Sequence, residues 1–118
     1  MLSKYERTLL EGWEEVHKRG QLTLWILLAL KDGPKHMQDI KRFIAEITRM
    51  VADDKSMYRA LRRYADAEMV AYHSKPSKSG PELKIYHLTE TGSSVLNSFV
   101  KQNIVSVFFN KQVKELLK

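Results

Sequence analysis

The chain has 118 residues, is 43% hydrophobic and 29% charged, and carries a net charge of +6 with an isoelectric point near 9.6. That size and balance fit one folded domain, or one domain with a helical arm, and exclude wholesale disorder. The absence of cysteine excludes a disulfide scaffold, a thiolate nucleophile and a zinc site built on Cys ligands.

A compact globule of this mass should expose ~6,600 Å². Residues 1–20 mix both charges and lack an apolar signal core. The longest apolar run, Leu24 to Leu30, is too short to span a bilayer. A cytoplasmic protein with no membrane contact is the expectation. The charge is unevenly spread: 1–20 balance to zero, 54–84 sum to +3 and 101–118 to +3. An acidic polymer is the obvious partner for such a distribution.

Leu2, Tyr5, Leu9, Trp13 and Val16 recur at helical spacing, with Lys4, Glu6, Arg7, Glu11, Glu14, Glu15 and Lys18 opposite. The spacing predicts an amphipathic helix over 2–18, stopped at Gly20. Such a helix needs an apolar surface, its own core or a second subunit. Residues 21–31 are almost uniformly apolar and predict a buried helix ended by Asp32-Gly33-Pro34.

Met37, Ile40, Phe43, Ile44, Ile47 and Val51 recur at steps of three and four, predicting a helix over 36–51. Asp53-Asp54 then reads as a helix start. In the helix predicted over 55–68, Met57, Leu61, Tyr64 and Ala65 group on one side. Lys55, Arg59, Arg62 and Asp66 group on the other, with Arg63 at the border. Two short amphipathic helices joined this way outline a helix-turn-helix.

Residues 70–74 and 83–88 alternate as strands, and the intervening KPSKSGPE predicts a β-hairpin with an exposed basic loop. Thr89-Glu90 starts a further helix. Its apolar face runs through Leu96, Phe99, Val100 and Val107. Phe109, Val113, Leu116 and Leu117 then take a different face, which predicts a break near Phe108-Phe109-Asn110. The spare apolar surface calls for a partner subunit.

From residue 21 the order is helix, helix, helix, hairpin, helix. The expected fold is mainly α with a small β-hairpin: a winged helix-turn-helix flanked by N-terminal and C-terminal dimerisation helices. The expected divisions are 1–19 for the N-terminal extension, 20–89 for the winged helix-turn-helix and 90–118 for the C-terminal dimerisation helix. In this form the third helix enters the major groove of DNA and the loop reaches the neighbouring backbone or minor groove.

The segments GQLTLWILLALKDGPKH, SMYRALRRYADAEMV and SGPELKIYHLTETG together resemble the PadR family of bacterial transcriptional regulators. The resemblance covers roughly residues 20–93. The most specific piece runs from Gly80-Pro81 through Tyr86-His87-Leu88-Thr89-Glu90-Thr91-Gly92, followed by Ser56-Met57-Tyr58-Arg59-Ala60-Leu61. It implies a homodimer held by the C-terminal helix, often with the N-terminal one. It also implies a palindromic promoter site, usually repression, and in many relatives release by a small aromatic or hydrophobic compound. The sequence departs from the family at His36-Met37-Gln38, where His-Gly-Tyr is usual and the tyrosine lies near DNA phosphate.

The candidate recognition-helix residues are Lys55, Ser56, Tyr58, Arg59, Arg62 and Arg63. Arginine pairs bidentately with guanine or phosphate, and hydroxyls donate to phosphate. Arg59, early in the helix and outward-facing, is the first choice for a base edge. Lys75, Ser77, Lys78 and Ser79 form the candidate wing. Gln38, Lys35, Lys41 and Arg42 are candidates for phosphate contact from the preceding helix. Tyr64, Tyr72 and Tyr86 read as core or sheet residues. Trp13, Trp25, Phe99, Phe108 and Phe109 are candidates to line an effector pocket at the dimer interface.

His17, His36, His73 and His87 form no metal-ligand spacing. No nucleophile elbow, phosphate-binding glycine loop or HExxH is present. Neither an enzyme nor a bound cofactor or metal is expected. Two other readings compete: a winged helix used as a protein adaptor, and a nonspecific nucleoid-type DNA binder.

Overall fold

The structure is a computed structural model that describes residues 1–118. Helix α1 spans Lys4–Lys31 as one unbroken rod of 28 residues. Ser3 and Glu6 form a reciprocal cap at its start: Glu6 N–H donates to Ser3 Oγ at 3.1 Å, and Ser3 N–H to Glu6 Oε1 at 2.8 Å. The predicted stop at Gly20 is absent. A glycine inside a helix costs only ~1 kcal/mol relative to Ala, and no proline or capping residue follows it to force an end. The outer half of α1 is exposed, whereas Ile26, Leu27, Ala29 and Leu30 of the inner half enter the core. The end at Asp32-Gly33 is as predicted, and Gly33 takes a φ of 145° that favours glycine.

Helix α2 spans Met37–Thr48, and His36 caps it by accepting the Gln38 amide on Nδ1 at 3.1 Å. It stops three residues before its predicted end because Arg49 turns left-handed at φ 63°. Val51 therefore lies outside the helix and Ile47 stays exposed. Met37, Ile40 and Ile44 are buried. Helix α3 spans Asp54–Asp66 and starts on the predicted cap: the Asp53 carboxylate accepts the Ser56 amide at 2.8 Å.

Strands β1 (Val70–Lys75) and β2 (Leu83–Leu88) form an antiparallel hairpin in which Val70 pairs with Leu88 and Tyr72 with Tyr86. Lys35 adds a bridge to the other edge of β2, exchanging two backbone hydrogen bonds with Tyr86 at 3.0 and 2.8 Å. Tyr64 and Tyr86 are core residues as expected; Tyr72 sits on the sheet but is half exposed. Helix α4 (Glu90–Val100) starts at Thr89, whose Oγ1 accepts the Gly92 amide at 3.0 Å.

Helix α4 runs on through a wider π-helical segment, Lys101–Val105, into the short α5 (Ser106–Phe108). The segment has no sequence signature, and the Lys101 carbonyl accepts both the Ser106 amide and, at 2.7 Å, the Ser106 hydroxyl. The predicted break is present: Phe109 leaves the helix, and Asn110 caps α6 (Lys111–Leu116) through the Gln112 and Val113 amides.

The core gathers α1, α2, α3, the hairpin and α4. Ile26, Ile40, Ile44, Met57, Leu61 and Leu96 are its largest fully buried side chains. The chain is not compact alone. It exposes 9070 Å², well above the ~6,600 Å² expected of a globule this size. Its radius of gyration is 17.0 Å, against ~13.5 Å for a compact domain.

Candidate nucleic-acid interface

Four cations and a phenol cover the outward side of α3. Its inner positions, Met57, Ala60, Leu61 and Tyr64, are buried, so Lys55, Tyr58, Arg59, Arg62 and Arg63 are turned outward by helix geometry alone. None of the four cations has a carboxylate partner among the chain's ion pairs. Arg63 leans toward the Tyr64 ring, 5.8 Å from its centre, at the edge of the ridge.

The start of α3 is acidic. Ser56 donates its amide and hydroxyl to Asp53, which holds that carboxyl below its usual range. The Ser56 hydroxyl is thereby engaged in the cap. Asp54 is also held low, chiefly by a hydrogen bond from the Lys41 ammonium at 2.6 Å. Both carboxylates offset the positive end of the helix dipole. An approaching polyanion therefore meets favourable charge along the face of α3 rather than at its tip.

The candidates on α2 and in the turn before it differ in what already holds them. Gln38 is exposed and lies near Asp54, where Lys41 is committed. Arg42 is exposed and paired with Asp39 at 2.8 Å. Lys35 is turned inward. Its ammonium donates to the Ala29 carbonyl at 2.7 Å, the Gly33 carbonyl at 3.3 Å and the Asp32 carboxylate at 3.0 Å, closing the end of α1. Met37 is a core residue beside the capping His36.

Lys75, Lys78 and Ser79 are exposed on the hairpin, and Ser77 is half-buried with Oγ accepting the Ser79 amide at 3.4 Å. Helix α3 and the hairpin meet at a cleft of about 440 Å³, lined by Tyr58, Arg62 and Asp66 from α3 and by Tyr72, Lys84 and Tyr86 from the strands. Tyr58 and Arg62 of the ridge thus face the strands of the hairpin across this cleft. A larger cleft of about 620 Å³ between the hairpin and α4 holds Glu68 and Glu90, the wrong sign for an anionic ligand. Burial, and secondarily Tyr58 and Tyr72, pushes the Tyr86 hydroxyl up, so it stays neutral.

Lys84 is absent from the residues singled out in the sequence. The signal was present: strand alternation places Lys84 on the same face as Tyr86, and the core position of Tyr86 turns that face toward α3.

The aromatic candidates for an effector pocket are not brought together within one chain. Trp13 lies on the outer half of α1, and Trp25 packs against the core edge with its indole N–H on Gln21 at 3.2 Å. Phe99, Phe108 and Phe109 are exposed toward the C-terminal end.

The model of the transcriptional regulator PadR-like family matches residues 26–98. The chain belongs to the PadR-like family of transcriptional regulators. Among solved structures, a PadR-like transcription factor from Bacteroides fragilis is 25% identical, with a TM-score of 0.69 over 89% of this chain and 98% of that one. A PadR family transcriptional regulator from Eggerthella lenta is 20% identical, with a TM-score of 0.77 over 98% of both chains. Bacillus subtilis PadR in complex with operator DNA is 23% identical, with a TM-score of 0.62 over 67% of this chain and 46% of that one. No curated protein matches. The PadR-like fold is a winged helix with a two-stranded hairpin, and family and neighbours are regulators rather than enzymes. No helix is long and apolar enough to cross a membrane.

Proposed function

We propose that this PadR-like protein is a homodimeric, sequence-specific DNA-binding repressor that occupies a palindromic operator. The observation that carries this reading is the cleft shared by α3 and the hairpin, beside unpaired Lys55, Arg59 and Arg62. In this geometry α3 lies in the major groove and Lys75, Lys78 and Ser79 reach the flanking backbone. Gln38 and Lys41 then steady the start of α3 from α2, with Gln38 able to donate to a phosphate. Ser56 serves the cap first and Tyr58 offers a hydroxyl.

Exposed area supports the dimer. The surplus exposed surface, roughly 2,400 Å² over a compact globule, exceeds what one partner of a stable dimer buries. It includes Tyr5, Leu9, Trp13 and Val16 on α1, and Phe108, Phe109, Leu116 and Leu117 near the C-terminal end. A two-fold arrangement lets the apolar stripe of each arm lie against the other chain's C-terminal apolar residues. Two copies of α3 then meet half-sites about one DNA turn apart.

Selection of bound duplexes from a random pool tests the reading. The expected result is one inverted repeat, with affinity falling steeply as salt rises. Similar affinity for scrambled duplexes would instead support nonspecific binding, and no retained DNA would support an adaptor.

A small hydrophobic or aromatic effector fits the walls that Trp13, Trp25, Phe99 and Phe108 supply once two chains meet. Titrating the dimer with planar aromatic compounds should quench tryptophan fluorescence and release the operator. No quenching across a broad panel would remove the effector from the proposal.

A further inference from the structure

We propose that the cleft between α3 and the hairpin seats one phosphodiester of the bound duplex, with Lys84 as its cation and Tyr72 as the residue that positions Lys84. The proposal rests on the DNA-binding reading above and adds a contact to it.

Four observations converge. The Lys84 ammonium stands 4.7 Å from the centre of the Tyr72 ring, which favours a cation over its face. That contact holds a long, flexible side chain that would otherwise lose its rotamer freedom only on binding. The ammonium has three donors and no carboxylate partner, so donors remain for an anion. Tyr72 is itself fixed against Tyr86, ring centres 5.5 Å apart, and Tyr86 is a core residue.

The opposite wall completes the seat. Tyr58 is 55% exposed and presents a hydroxyl donor, and Arg62 follows one turn later on the same wall. Asp66 lies two turns beyond Tyr58 at one end of the cleft and Glu82 flanks Tyr58 and Lys84 beyond the other, so the favourable place for an anion is between them, at Arg62 and Lys84. A phosphodiester there bridges recognition helix and wing. It locks their relative placement on the duplex without reading a base.

The test uses the full-length protein and the duplex selected from a random pool. Affinity is measured across a salt series for wild type, Lys84→Gln, Lys84→Arg and Tyr72→Leu, with thermal melts to establish folding. Lys84→Gln should weaken every duplex by the same factor and lower the log–log salt slope by ~1 per half-site, ~2 for a dimer. Lys84→Arg should restore the slope. Tyr72→Leu should weaken binding in the wild type and have no further effect in the Lys84→Gln background.

An unchanged slope for folded Lys84→Gln, with wild type still bound, would overturn the seat. A loss confined to one base pair would make Lys84 a base reader and overturn it equally. Equal effects of Tyr72→Leu in both backgrounds would remove the positioning role. Failure of wild type to bind any duplex is a different result, because it removes the DNA-binding reading itself.

Discussion

Gly92→Ala is expected to destabilise the fold by ~3 kcal/mol or more, at the upper end of what overpacking costs. A methyl group at Gly92 would lie 1.9 Å from the Met69 carbonyl oxygen and 2.9 Å from its carbon. Those atoms are backbone and cannot swing aside. The same carbonyl accepts the Thr89 amide at 3.1 Å, and the Thr89 hydroxyl donates to the Glu68 carbonyl. The first turn of α4 is thus docked on the α3–β1 turn, and a side chain at Gly92 pries it away. For a chain this size the melting temperature should fall by ~10 °C or more, measured at fixed protein concentration because dimerisation also contributes.

Gly20→Ala is the control. Nothing lies within 4 Å of that position, which sits inside α1. The substitution should stabilise by ~0.5–1 kcal/mol, since alanine loses less backbone freedom in a helix. A loss below 1 kcal/mol for Gly92→Ala would show that the docking is looser than the geometry implies.

Arg59→Ala is expected to weaken operator binding by ~1–3 kcal/mol per half-site, so up to about twice that for a dimer. Arg59 sits in the second turn of α3, exposed and without a carboxylate partner. A base contact and a phosphate contact leave different traces. If Arg59 reads a guanine, discrimination is lost at one symmetric position and the salt slope changes little. If it binds phosphate, the slope falls and discrimination survives. Binding equal to wild type would strike Arg59 from the interface.

Much of this fold was legible in the residues. The Asp53 and Thr89 caps, the α3 face and the two strands all rest on groups within four positions of one another, where backbone geometry dictates who meets whom. The break at Phe109-Asn110 belongs with them, because the change of apolar face is local. Gly20 differs: it is a weak helix former, but the helix on either side of it outweighs its cost. The early end of α2 at Arg49 and the π-helical segment after Val100 carry no comparable local signal.

The candidate interface divides in the same way. Arg59 and Arg62 could be placed outward from helical periodicity, because their neighbours Met57 and Leu61 must be inside. Residue type alone does not tell Lys35, Lys41 and Lys84 apart. The chain's own pattern determined the elements, their order, their caps and the sign of the charge on α3. Only the tertiary structure decided that Lys35 closes α1, that Lys41 is held by Asp54 and that Lys84 faces α3 across a cleft. The physical reason is range: periodicity and capping act within a turn or two, whereas the partner that claims a charged side chain is chosen by which distant segment packs beside it.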